Sequence, residues 1–198
     1  MKIFGISGSP RLQGTHYGVN YALEYLKERD CEVRYFSVAR KEIKFCMHCD
    51  YCIRKKEGCI HKDDLNEVYD NLVWADGIII GSPMYQGNIT GQLKTLMDRC
   101  RALVAKDPKI LKNKVGMGIS IGGDRNGGQE IGLRTIHDFY MINEMIPVGG
   151  GSFGANLGAT FWSKDKGKKG IMEDEEGLRS LKKTLNRFLE VIKNNIKK

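Results

Sequence analysis

Proline is scarce, 4 residues in 198, and no apolar run approaches the roughly 18 to 20 residues that a bilayer-spanning helix requires. These two shortages exclude a proline-rich or collagen-like chain and a transmembrane helix. The start, MKIFGISGSPR, lacks the basic, apolar, small-residue order of a secretory leader and runs directly into a strand pattern, so a cytoplasmic chain is expected. A block of charge of one sign is also missing. Lys and Arg number 32 against 24 Asp and Glu, a net charge of +8, but residues 164–198 alone carry 11 basic and 6 acidic side chains, which supplies 11 − 6 = 5 of that excess. There the two signs are mixed along an amphipathic pattern, as on the solvated face of a helix. With no helix-turn-helix and no interleaving of aromatic and basic residues, neither nucleic acid nor a membrane is an expected partner, and a regulatory module that contacts nucleic acid has little support.

What is present is a composition of 41% hydrophobic and 28% charged residues with 24 glycines, which is that of a folded chain with room for one core. We therefore read residues 1–198 as a single domain. KIFGI (2–6) is a buried strand; Val19, Ala22, Leu23 and Leu26 recur at helical spacing; EVRYFSV (32–38) has a β-rich composition. Leu65, Val68 and Leu72 mark a helix beginning near Asp63, a residue type suited to N-capping, and GIIIGSP (77–83) is a strand buried on both faces. Thr90 can cap a helix bearing Leu93, Leu96, Met97 and Cys100, VGMGISI (115–121) is a fourth strand, and Leu133, Ile136, Phe139 and Tyr140 lead by a helix to a fifth strand near 146–150. Leu178, Leu181, Leu185, Phe188 and Ile192 form the stripe of the last helix. Strands alternating with helices predict an α/β fold with a doubly wound, five-stranded parallel sheet. Two stretches interrupt the alternation: an insertion at 40–62, after the second strand, and an irregular segment at 151–173.

In such a fold ligands bind beyond the C-terminal strand ends, near the point where strand order switches. The loop after the first strand, SGSPRLQGTH, offers glycines, hydroxyls, the charge of Arg11 and a helix N-terminus, a set suited to a terminal phosphate. It is neither a Walker A loop nor GxGxxG, which disfavours an adenine dinucleotide at this turn. The loops SPMYQGNIT (82–90) and GGDRNGG (122–128) can each place backbone polar groups against the edge of a planar heterocycle, with Tyr85 available to pack on it. An ordinary hydroxyl-rich turn is the plain alternative for the first loop, and ordinary glycine turns for the other two.

The ordered set GSPR, GSPMYQGNITGQLKTLMDR and GGDRNGGQE resembles the flavodoxin-like NAD(P)H-dependent FMN reductases over about residues 1–150. With the cysteine segment included, the chain resembles the archaeal iron–sulfur flavoproteins over nearly its whole length. The resemblance implies FMN, with Ser9, Arg11 and Thr15 at the phosphate and Pro83, Met84, Tyr85, Gly87 and Asn88 along the ring; Gly123, Asp124, Gly127 and Gly128 of the later loop complete the expected contacts. Where related sequences carry Asn/Ser-Thr, this one has Thr15-His16.

Four of the six cysteines fall within 14 positions, as Cys46-x2-Cys49-x2-Cys52-x6-Cys59. Three thiols at two-residue spacing can wrap a cubane, with the fourth reaching back across the Gly58 turn, so one [4Fe–4S] cluster is expected on these four sulfurs. A structural zinc site normally uses two separated C-x2-C knuckles, and a thioredoxin-type dithiol needs only one pair. Cys31 and Cys100 are read as buried, inert thiols, and His48 as a loop residue. The resemblance implies electron transfer from a ferredoxin-like donor through cluster and flavin to an acceptor, in a homodimer or homotetramer; no acid–base residue is nominated. Phe153, Phe161 and Trp162 of the irregular segment are candidates for the subunit contact or for packing within the chain. A simple NAD(P)H-dependent FMN or quinone reductase with structural zinc at the four cysteines is the alternative.

Overall fold

A computed structural model describes residues 1–196. Its first half comprises β1 (Lys2–Ser7), α1 (Gly14–Lys27), β2 (Glu32–Ser37), the short α2 (Tyr51–Lys55), α3 (Asn66–Trp74) and β3 (Gly77–Pro83). The second half runs through α4 (Gly91–Arg99), α5 (Arg101–Lys106), β4 (Val115–Gly122), α6 (Gln129–Ile142), β5 (Ile146–Val148), β6 (Ala159–Trp162), α7 (Lys168–Glu173) and α8 (Glu175–Ile196). The strands lie in the order β2-β1-β3-β4-β5, with β6 also on β4, and every pairing is parallel.

The unbroken apolar runs of β1, β3 and β4 are explained by helices on both faces. Ile78 and Ile80 point into a core shared with α3, α4, α5 and α6, while Ile79 points the other way, into a core built with α1, α7 and α8. The expected stripe of the last helix holds, with Leu181, Leu185, Phe188 and Ile192 all buried and the mixed charges facing out. No described helix is long and apolar enough to cross a membrane.

Two expectations require correction. The fifth strand position is filled by two pieces laid end to end along β4: β5 pairs with Val115–Met117 and β6 with Ile119–Gly122. The segment expected to be irregular therefore contains a strand and the helix α7. β6 has only four residues, with Ala159 and Phe161 buried, and so few residues carry no readable period. Helix α3 begins at Asn66 rather than near Asp63, because one Asp63 oxygen is engaged by Arg99 of α4, although the other accepts from Leu65 N–H at 3.3 Å. Thr90 caps α4 as expected, its Oγ1 accepting from Leu93 N–H at 3.2 Å. Cys31 and Cys100 are buried, and burial pushes the Cys100 thiol up to about 12.

Candidate cofactor sites

The loops after β1, β3 and β4 converge at the C-terminal edge of the sheet around a groove lined by Ser9, Arg11, Gln13, Gly14, Thr15, Pro83, Met84, Tyr85, Ile121 and Gly123. Its floor follows from the strand packing. Gly81 in β3 lets α1 sit close, since a Cβ there would fall 2.5 Å from Val19 Cγ2 and 3.2 Å from Thr15 Cγ2. The N-terminus of α1 has no acidic residue in its first turn and, among the described residues, no side-chain cap. Its first N–H groups are thus free for an anion, beside the exposed Arg11 and the buried Thr15. The Ser9 hydroxyl, which accepts from Arg11 N–H at 3.1 Å, belongs to the same lining as Thr15. Hydroxyls, free N–H groups and a cation fit a phosphate-bearing ligand.

The β3 loop is a two-residue hairpin. Tyr85 and Asn88 exchange backbone hydrogen bonds of 2.8 and 3.1 Å, and the two residues between them, Gln86 and Gly87, have φ of 50° and 81°. This positive-φ pair is the backbone such a turn requires, and it holds Tyr85, which is 40% exposed, at the groove's rim. Five expected contacts do not line the groove. Gly87 forms the turn; Asn88 Oδ1 accepts from Thr135 Oγ1 at 2.9 Å and Ile89 N–H at 2.7 Å; the Asp124 side chain is exposed while its carbonyl accepts from Gln129 Nε2 at 2.7 Å. Gly127 N–H donates to Gln129 Oε1, and Gly128 sits against the Gly87 carbonyl, so these residues shape the two loops and join them. His16 is turned to Tyr35, with its Nδ1 2.6 Å from the tyrosine oxygen, and pins α1 to β2.

One wall of the groove has no sequence signal that our reading found. Ser163, Asp165 and Gly167, between β6 and α7, also line it, with the Asp165 carboxylate packed against Gly123. The clue lay in Lys164-Asp165-Lys166-Gly167, a turn-rich run after the unrecognised β6; Lys164, Asp165 and Gly167 have φ of 51°, 54° and 57°. Phe161, from the same strand, is 1% exposed and packs within the chain, whereas Phe153 is 88% exposed.

The cysteine segment lies between β2 and α3, fixed against α4 and α5. Cys52, on α2, and Cys59 pack against the core, while Cys46 and Cys49 are exposed. Among the described residues, no three Cys, His, Asp or Glu side chains converge as metal ligands. The backbone turns repeatedly, with positive φ at His48, Asp50, Lys56 and Gly58. Two arginines that sequence reasoning did not single out hold it. Arg99, fully buried, donates from Nη1 to Asp63 Oδ2 at 2.5 Å and to the Lys44 carbonyl at 2.9 Å; Arg101 Nη2 donates to Asp50 Oδ1 at 2.7 Å. Burial works to raise the Asp63 carboxyl, but Arg99 and the N–H groups of Lys44 and Leu65 hold it below its ordinary value; Arg101 does the same for Asp50. The available signal was Arg99 three residues after Leu96, beside the apolar stripe of α4. Four thiols in one segment, with cations beside them, are the donor chemistry of an anionic metal–sulfur centre, although their side chains do not converge in this structure.

The model of the NADPH-dependent FMN reductase family matches residues 1–160. An iron–sulfur flavoprotein of Methanocaldococcus jannaschii is 79% identical over 193 residues, covering 98% of this chain and 98% of its own. An iron–sulfur flavoprotein of Archaeoglobus fulgidus is 53% identical, covering 96% of each chain. Among solved structures, a WrbA-like flavodoxin of Agrobacterium tumefaciens superimposes with a TM-score of 0.65 at 15% identity, covering 98% of both chains, a likeness of fold.

Proposed function

The chain belongs to the NADPH-dependent FMN reductase family and, within it, to the iron–sulfur flavoproteins, and on that basis we propose that it is a redox protein holding FMN in the groove and one [4Fe–4S] cluster on Cys46, Cys49, Cys52 and Cys59. When bound, the flavin supplies one- and two-electron chemistry and the cubane supplies one-electron steps. The protein's part is placement. Ser9, Arg11, Thr15 and the free N–H groups of α1 hold the phosphate; Pro83, Met84, Tyr85 and Gly123 border the ring; Gly87, Asn88, Asp124, Gly127 and Gly128 set the shape of the ring-side loops.

A ferredoxin-like donor would dock on the basic flank of the cysteines, Lys41, Lys44, Arg54, Lys55 and Lys56, and the acceptor would be met at the groove that would hold the flavin. The working form is a cytoplasmic homodimer or homotetramer. Exposed Phe153, Met141 and Ile142 supply apolar surface for its contacts.

The observation that carries this reading is the pairing of two donor sets in one chain: four thiols in a single turning segment, and an anion-ready groove at the switch between β1 and β3. Purification without oxygen should give FMN together with about four irons and matching sulfide per chain. Changing any of Cys46, Cys49, Cys52 or Cys59 to Ala should lose most of the iron and keep the FMN, while Cys31→Ala and Cys100→Ala should lose neither. Zinc in place of iron, or about four irons retained by Cys59→Ala, would refute the cluster assignment.

A further inference from the structure

An arginine presents five N–H donors, and the two arginines at the α4–α5 junction leave some of theirs unused. Arg99 spends Nη1 on Asp63 and the Lys44 carbonyl, but its Nε and Nη2 are buried with no partner among the described residues. Arg101 spends Nη2 on Asp50, and its Nη1 is likewise buried and unpartnered. Buried charged donors without acceptors are costly, and three of them at one junction call for an anion.

The acceptors at hand are the sulfur atoms of the cysteine segment, because α5, which begins at Arg101, packs on α2, which carries Cys52. Both arginines are also tied to the segment itself, Arg99 at Lys44 and Asp63 on its two flanks, Arg101 at Asp50 between Cys49 and Cys52.

We propose that Arg99 and Arg101 set the reduction potential of the cluster held by Cys46, Cys49, Cys52 and Cys59, donating their unused N–H groups to its sulfur atoms. This rests on the cluster reading above. A cubane on four thiolates is a net anion and becomes one charge more negative on reduction, so a neighbouring cation with donors on sulfur stabilises the reduced form more and raises the potential. Asp50 opposes this, as a carboxylate beside the same sulfurs that also occupies one arm of the Arg101 fork.

The test is a redox titration of the loaded protein, followed by the cluster's electron paramagnetic resonance and visible absorption, with iron counted in every sample. Arg101→Gln should lower the ratio of reduced to oxidised cluster at a fixed potential about tenfold, equivalent to about 59 mV for one electron. Asp50→Asn should move the potential upward, and asparagine tolerates the left-handed backbone found at that position, φ 55°. Arg187→Gln, removing a cation paired with Glu190 on the helix of the opposite face, should leave the potential unchanged.

A fully loaded Arg101→Gln protein at the native potential would overturn the proposal, as would shifts of the same sign in Arg101→Gln and Asp50→Asn. If Arg101→Gln loses its iron, Arg101→Lys, which keeps the charge and gives up the fork, carries the test. A lowered potential in it supports the proposal; an unchanged potential, or loss of its iron too, reduces Arg101 to a fastener for Asp50. A native protein without iron would instead defeat the cluster reading itself, so the two failures are distinguishable.

Discussion

Arg11 is exposed at the rim of the groove, on the loop just before α1, and nothing in that helix's first turn competes with it for a phosphate. Arg11→Ala should therefore weaken FMN by the worth of a charge-assisted contact, about 1.5 to 3 kcal/mol or some 10- to 150-fold, and leave riboflavin nearly unaffected. Flavin fluorescence titrations of both ligands check this, and equal weakening would move the phosphate elsewhere. Residues like Arg11 and the four cysteines are legible in a sequence because their chemistry is local: a loop's own hydroxyls and charge, or thiols counted along one segment. Arg99, Arg101 and Asp165 were not legible. Their meaning depends on partners 36, 51 and 42 positions away, at Asp63, Asp50 and Gly123, which spacing cannot reveal.

Elements were legible where their period is long. The central strands and α1, α4, α6 and α8 stand where their apolar stripes place them, because burial against a sheet demands those stripes. β6 and α7 were missed for lack of length, and the start of α3 because Asp63 looks like a cap and is held by an ion pair. A cap that did hold is Thr90, and it does more than cap: its Oγ1 donates to the Gly8 carbonyl at 2.6 Å while accepting from Leu93 N–H, tying α4 to the phosphate loop. Thr90→Val keeps the shape and removes both bonds. It should cost about 1 to 3 kcal/mol, seen as a lower urea midpoint at unchanged slope.

At the scale of the whole molecule, Lys41, Lys44, Arg54, Lys55 and Lys56 are exposed beside the cysteines; Lys41 and Lys44 are paired with Asp64 and Glu42, while Arg54, Lys55 and Lys56 form no ion pair among the described residues. Reduction by an acidic ferredoxin should be steered by this patch. Its second-order rate should fall steeply between about 0.01 and 0.3 M salt, as the screening length shrinks from about 30 Å toward 6 Å. Changing Arg54, Lys55 and Lys56 together to Gln should flatten that dependence, and a native rate indifferent to salt would remove the steering. The grip of Arg99 on both Lys44 and Asp63 has a further consequence for the chain without metal. It draws the two ends of the thiol-bearing loop together through protein contacts alone, so the entropy of closing that loop is met before any metal arrives. The metal-free chain should therefore keep its sheet folded, and loading it would be a matter of filling rather than refolding.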